Sequence, residues 1–188
     1  MKIHELRPKN FRKFEDSVFR FNADSRVTVL IGDNATGKTA ILDALSIMMG
    51  CYLQDFKTVT ARHIRKNEIR LKRVALGGTI TLEPQWKEGV AVACTASLDE
   101  LIDSQSSTPG TLSWSKELNS RSGRNIRKNA NNIAGFGGEA SGRVEKGEPV
   151  LLPVLGYYGT GRLWHQKQDT TLSEPDSRTV GYRLSQVK

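Results

Sequence analysis

Eight consecutive residues, Gly32-Asp33-Asn34-Ala35-Thr36-Gly37-Lys38-Thr39, constrain this chain more than anything else in it. They stand between two contrasting patterns. Before them runs Arg26-Val27-Thr28-Val29-Leu30-Ile31, a β-rich, nearly continuous apolar stretch that suits a strand covered on both faces. After them Ile41, Leu42, Leu45, Met48 and Met49 recur at helical spacing, and Gly50 is a natural stop. Strand, glycine-rich loop, helix is the context that a phosphate-wrapping loop requires.

Gly32, Gly37, Lys38 and Thr39 complete the spacing G-x-x-x-x-G-K-[ST] of a P-loop. The two glycines permit backbone angles closed to other residues, so the loop can curl and turn its N–H groups towards phosphate oxygens. The start of the following helix adds its positive pole to the same place. Lys38 is suited to bridge the β- and γ-phosphates, and the Thr39 hydroxyl to take one position in a Mg²⁺ shell. The sequence therefore predicts a site for MgATP, with residues Gly32, Asp33, Asn34, Ala35, Thr36, Gly37, Lys38 and Thr39 around the phosphates and Thr39 at the metal.

The remaining features set the frame. A chain of 188 residues is long enough to bury a core without disulfides or metals. Cys51 and Cys94 show neither C-x-x-C spacing nor histidines in ligand register, which argues against a disulfide framework or a zinc site. Cys51, at the end of the apolar helix, reads as a buried free thiol. The N-terminal residues form no apolar signal segment, and no apolar run approaches the ~18 residues of a membrane span, so a cytoplasmic protein without membrane contact is expected. The formal charge of +8 suits polyanionic partners, among which ATP, nucleic acid and anionic membrane surfaces all qualify.

Residues 2–7 and Ser17–Phe21 read as strands around a basic turn, Asn10-Phe11-Arg12-Lys13-Phe14. Ile69–Leu76, Thr79–Leu82 and Gly89–Ala96 read as an antiparallel group, with Gly77-Gly78 as a turn. Ser97-Leu98-Asp99-Glu100 has the capping-box pattern of a helix start. From Asp103 to Glu148 Ser, Asn, Gly, Lys and Arg dominate. Leu112, Trp114 and Leu118 suggest one short amphipathic piece there, and residues 120–148 a flexible loop. Val150–Tyr158 reads as a returning strand, followed by a polar tail to Lys188. The predicted organisation is a P-loop lobe over 1–102, a polar, partly flexible insertion over 103–148, and the strand and tail over 149–188.

The first fifty residues resemble the amino-terminal segment of ABC-type ATPases of the RecF, SMC and overcoming-lysogenization-defect class. The residues that carry the likeness are Asn10-Phe11-Arg12, Phe19-Arg20-Phe21, Val27–Ile31, Gly32–Thr39 and Ile41-Leu42-Asp43-Ala44-Leu45. The run Leu152–Arg162 is similar to ATPases of bacterial anti-phage systems such as the Septu type. The resemblance implies an α/β P-loop NTPase fold: the N-terminal lobe of an ABC/SMC-type ATPase, with a mixed sheet and an antiparallel β-subdomain. It implies that Asn34 lies at the γ-phosphate end and that Arg12 and Lys13 lie beside the nucleotide, where a guanidinium suits phosphate. It also implies a γ-phosphate-sensing glutamine, for which Gln166 and Gln168 are the candidates, and work on DNA, in repair, maintenance or phage defence, with a dimer mate or a partner ATPase or effector subunit.

Two parts of that family's catalytic set are not found in the sequence. One is a hydrophobic strand ending in Asp-Glu, which would supply a metal-shell carboxylate and a general base. The other is a Ser-Gly-Gly signature. Asp99-Glu100 follows a poor strand pattern, and Gly137-Gly138-Glu139 lacks the leading Ser. The expectation is a chain that binds ATP but is catalytically incomplete alone. A competing reading is a non-catalytic basic module that binds nucleic acid and holds ATP structurally. Its phosphate-contacting stripes would be Arg62, Arg65, Lys66, Arg70, Lys72 and Arg73, or Lys116, Arg121, Arg124, Arg127 and Lys128.

Overall fold

A computed structural model describes residues 1–57, 59–87, 89–98, 110–119 and 122–159. Its centre is a sheet built from strand alternation. In β1 (Lys2–Phe11) Leu6, Pro8 and Asn10 point inward while Arg7 and Lys9 face water. In β6 (Val90–Ser97) Val90, Val92, Cys94 and Ala96 form the inward row. In β7 (Thr111–Leu118) the row is Trp114, Lys116 and Leu118. This period of two is what places one face of each strand on a core.

The short strands β2 (Phe14–Asp16), β3 (Phe19–Arg20) and β8 (Asn125–Ile126) complete the sheet, in the order β2-β1-β6-β7-β8 with β3 also on β1. Strands β4 (Leu71–Leu76) and β5 (Thr79–Pro84) form a separate hairpin. Every ladder among the described residues is antiparallel.

Helix α1 (Lys38–Tyr52) lies on the inward face of the sheet, against β1, β6 and β7. Ala44, Ile47, Met48 and Cys51 are buried there, and Trp114 donates from Nε1 to the Met48 carbonyl at 3.1 Å, tying helix to sheet. Cys51 and Cys94 are both free and buried. Burial pushes their thiols up, to about 11 and about 12 respectively.

Two sequence expectations are corrected. Residues 120–148 are not a flexible loop where they are described: they hold β8, a 3₁₀ turn (Lys128–Ala130) and helix α2 (Asn131–Glu145). The buried face of α2 is Ile133, Ala134, Gly137, Ala140, Ser141 and Val144, a helical spacing made mostly of small residues. Small size is what lets α2 sit close. A Cβ on residue 137 would lie 1.9 Å from the Tyr52 carbonyl oxygen of α1. Close packing, not bulk hydrophobicity, holds this helix.

The second correction concerns Val27–Ile31. Among the described residues it forms no ladder, and Val27 and Ile31 are 72% and 92% exposed. The sequence carries a strand pattern, but no described strand pairs with it. The expected returning strand behaves alike: residues 150–158 pair with no strand among the described residues. Leu152 and Leu155 touch the core, whereas Leu151, Val154 and Tyr158 face outward. The amphipathic piece at Leu112, Trp114 and Leu118 is strand β7. Asp99, Glu100, Gln166 and Gln168 lie outside the described residues.

Candidate nucleotide site

Helix α1 begins at Lys38, immediately after Gly37, whose φ of 105° is the left-handed geometry that glycine tolerates. The position is also crowded, because a Cβ there would come within 2.6 Å of Lys13 Cδ and 2.8 Å of Phe14 Cζ. The β1–β2 turn thus packs directly on the loop. The loop closes on itself: Thr36 donates to the Asp33 carbonyl from both its backbone N–H (3.4 Å) and its hydroxyl (2.8 Å).

The start of α1 has no side-chain cap and no acidic residue in its first turn. The first N–H groups of a helix lack intrahelical acceptors, and the first helical bond here runs from Ile41 N–H to the Gly37 carbonyl. The helix therefore presents an uncompensated positive end to the loop. The Lys38 ammonium bends back across this mouth and donates to the Gly32 and Asp33 carbonyls, each at 2.6 Å. Lys13 reaches the same loop and donates to the Ala35 carbonyl at 2.8 Å. Two cations and a bare helix start surround one turn of backbone, with neutral carbonyls as the cations' acceptors. Asn34 and Thr39 are exposed at the loop. This donor set fits a polyphosphate.

Arg12 is placed differently. Its guanidinium pairs with Asp43 at 2.6 Å and Glu68 at 3.1 Å, and its backbone N–H donates to the Glu68 carbonyl at 2.6 Å. Arg62 binds the same two carboxylates, Asp43 at 2.9 Å and Glu68 at 2.7 Å, and also donates to the Ser46 hydroxyl. Tyr157 donates its hydroxyl to Asp43 at 2.5 Å, with Arg62 5.5 Å over its ring. Burial, reinforced by the hydrogen bond to Asp43, raises the Tyr157 pKa. Asp43 and Glu68 are both buried. Two cations, two anions and a phenol thus join α1, the β1–β2 turn, the stretch around residues 62–68 and the 150–158 segment just behind the loop.

A family model described as an AAA domain matches residues 5–182. The chain belongs to this AAA domain family. It is 39% identical over 70 residues to the DNA double-strand break repair Rad50 ATPase of Pyrococcus abyssi (strain GE5 / Orsay), covering 37% of this chain and 7% of that protein. It is 32% identical over 83 residues to the Rad50 ATPase of Sulfolobus acidocaldarius, covering 44% and 8%. The chain thus spans under a tenth of the length of these relatives. A chain solved in work on the ATP-driven dimerization and DNA-stimulated activation of SMC ATPases aligns with a TM-score of 0.44 at 17% identity, covering 73% of this chain and 80% of that one.

The fold is that of an α/β P-loop NTPase lobe with an antiparallel β-subdomain. Among its described residues no helix is long and apolar enough to cross a membrane. The AAA domain brings Gly32–Thr39 and Lys13 together and turns Arg12 to carboxylates. Sequence reasoning did not identify Asp43, Glu68 and Tyr157. The available signal was Asp43 itself, a carboxylate one helical turn before Ile47 on the apolar face of α1. The basic stripes lose members in the structure: Arg62 is engaged as above, Arg70 pairs with Glu15 at 2.8 Å, Arg127 is held by both oxygens of Asp55, and Lys116 is buried. Arg121 lies outside the described residues.

Proposed function

We propose that this AAA domain binds ATP with Mg²⁺ at Gly32–Thr39 and supplies the P-loop side of a Rad50- and SMC-like ATPase. The carrying observation is the uncapped start of α1 with the Lys38 ammonium folded across it. On binding, Lys38 would exchange two neutral carbonyls for phosphate oxygens, which are stronger acceptors. The loop and helix-start N–H groups would take further oxygens, and the Thr39 hydroxyl would face the metal. Lys13 would add a second cation beside Asn34 and Ala35. Arg12 would reach a phosphate only by leaving Asp43 and Glu68. MgATP, when bound, brings the phosphoanhydride whose cleavage releases energy.

The unit as read is catalytically incomplete. Support comes from two apolar stretches without sheet partners among the described residues, Val27–Ile31 and residues 150–158, and from a sequence in which no hydrophobic run ending in Asp-Glu is found. We infer a cytoplasmic protein whose site is completed by further polypeptide, a second copy or a companion ATPase or effector subunit. DNA would be the substrate on which it works, in repair and maintenance or in defence against phage. The proposed organisation is one N-terminal ATPase portion, with 1–102 carrying the P-loop and 149–159 packing beside it.

Equilibrium titration of the chain with a fluorescent ATP analogue and Mg²⁺ tests the site. Lys38→Ala should weaken binding at least tenfold; equal affinity in both proteins removes the site. Sustained phosphate release by the pure chain would contradict catalytic incompleteness.

A further inference from the structure

The inward row of β7 contains an anomaly. Between Trp114 and Leu118, both buried, strand alternation places Lys116 on the core side, only 1% exposed. Its ammonium has no hydrogen-bond partner among the described residues. Close by, the half-buried Gln54 keeps both amide atoms, Nε2 and Oε1, out of water and without a hydrogen-bond partner among the described residues. Both residues line one pocket of about 330 Å³, which Val59, Thr60, His63 and Arg127 also line. No residue of the Gly32–Thr39 loop lines it.

Two polar side chains of the same wall are engaged elsewhere. Asn125, also in the wall, holds Ile64 through both amide atoms, at 3.0 Å and 2.9 Å. Arg127 binds Asp55 through two contacts, at 2.5 Å and 2.7 Å. Among the described residues no carboxylate lines the pocket. Cys51 acts electrostatically on Lys116, but its thiol is pushed up to about 11 and stays neutral at pH 7. Burial lowers the pKa of Lys116, the direction expected of a cation held without a counter-charge. An orphaned buried donor is costly, and an unpaired buried charge more so. The fold tolerates both at one place, in a pocket whose free groups are cationic or neutral.

We propose that this pocket is a second anion site, separate from the P-loop, and that it binds a small phosphate-bearing molecule. The Lys116 ammonium and the Gln54 amide are shut off from water at rest, so their side chains must swing toward the cavity for the ammonium to supply the charge. Gln54 Nε2 supplies a directed donor, and Gln54 Oε1 accepts from a protonated phosphate oxygen or a ligand hydroxyl. His63 closes the same wall as a further donor. The volume corresponds to about ten waters at the ~30 Å³ that each occupies in the liquid, so the space admits a phosphate monoester as well as inorganic phosphate. The site stands or falls independently of nucleotide binding at Lys38.

The test uses the full chain carrying Lys38→Ala, which silences the P-loop. Inorganic phosphate is titrated by calorimetry while the His63 imidazole resonances are followed by NMR, against potassium chloride of matched ionic strength. Glycerol phosphate is the monoester probe. Saturable binding, a His63 shift specific to the phosphate probes, and at least a tenfold loss on adding Lys116→Met or Gln54→Leu would establish the site. Lys116→Met fills the same space without charge and should fold. The Gln54→Leu arm, which keeps the ammonium, guards against misfolding as an explanation. The proposal is overturned if neither phosphate probe binds saturably, if chloride shifts His63 equally, or if both added substitutions leave affinity unchanged.

Discussion

Val92 and Val29 belong to two stretches that look alike in sequence, both short, β-branched and apolar, yet they end in opposite environments. Val92 in β6 is fully buried, flanked by β1 and β7 through ladders on both sides and covered by α1. Val29, in the stretch that leads into the P-loop, is 72% exposed. Intrinsic strand preference is the same in both cases; what differs is whether the described residues place a neighbouring strand beside it. The β6 region is a closed core whose stability resides in this chain. The 27–31 and 150–158 stretches are anchored to that core at Leu30, Leu152 and Leu155 and otherwise present apolar surface.

The contrast can be broken by substitution. The largest effect is expected where α2 meets α1. Gly137→Ala places a methyl against the Tyr52 carbonyl and should cost about 3 kcal/mol in urea unfolding, through overpacking against backbone. A cost near zero would mean that the two helices do not pack so closely. Asp43→Ala should come next. It leaves Arg12 and Arg62 to share Glu68 and removes the acceptor of Tyr157. The expected loss is about 2 kcal/mol, below the usual cost of orphaning a buried pair because Arg12 keeps access to water.

A matched pair tests the comparison itself. Val92→Thr should cost about 1–2 kcal/mol by burying a hydroxyl, whereas Val29→Thr should change stability by less than about 0.5 kcal/mol. Equal costs would show that the 27–31 stretch is packed in solution. The smallest effect concerns pH. Burial, with Lys116 nearby, holds the His63 imidazole below its usual range. Between that lowered value and about 6.5 the unfolded chain binds more protons than the folded one, so stability rises with pH and is lost as pH falls through the folded value. Unfolding followed from pH 7.5 to 5 should show this slope flattened in His63→Gln relative to the parent.

Legibility in the sequence followed the same divide. The P-loop was readable because its chemistry fixes residue types at fixed spacing. Strands β1, β4, β5 and β6 were readable from alternation and from Gly77-Gly78. Helix α2 was not, because Ala134, Gly137, Ala140 and Ser141 carry too little hydrophobicity to register, although their spacing is helical. Lys116 read as part of a basic surface stripe because charge was counted without the alternation that carries β7 inward. The Asp43–Glu68–Arg62–Arg12 cluster was illegible for a plainer reason. Arg12, Asp43 and the Arg62–Glu68 pair lie on three separate stretches of sequence, and only the fold brings them together.

Nucleotide binding depends on the amides and the ammonium around Gly32–Thr39. Hydrogen exchange of residues 33–40, measured with and without saturating MgATP, examines those amides directly. Exchange in the loop and first helical turn should slow by at least tenfold with MgATP in the parent chain and stay unchanged in Lys38→Ala. If MgATP leaves exchange of these residues untouched while protecting some other part of the chain, the nucleotide does not bind at the P-loop.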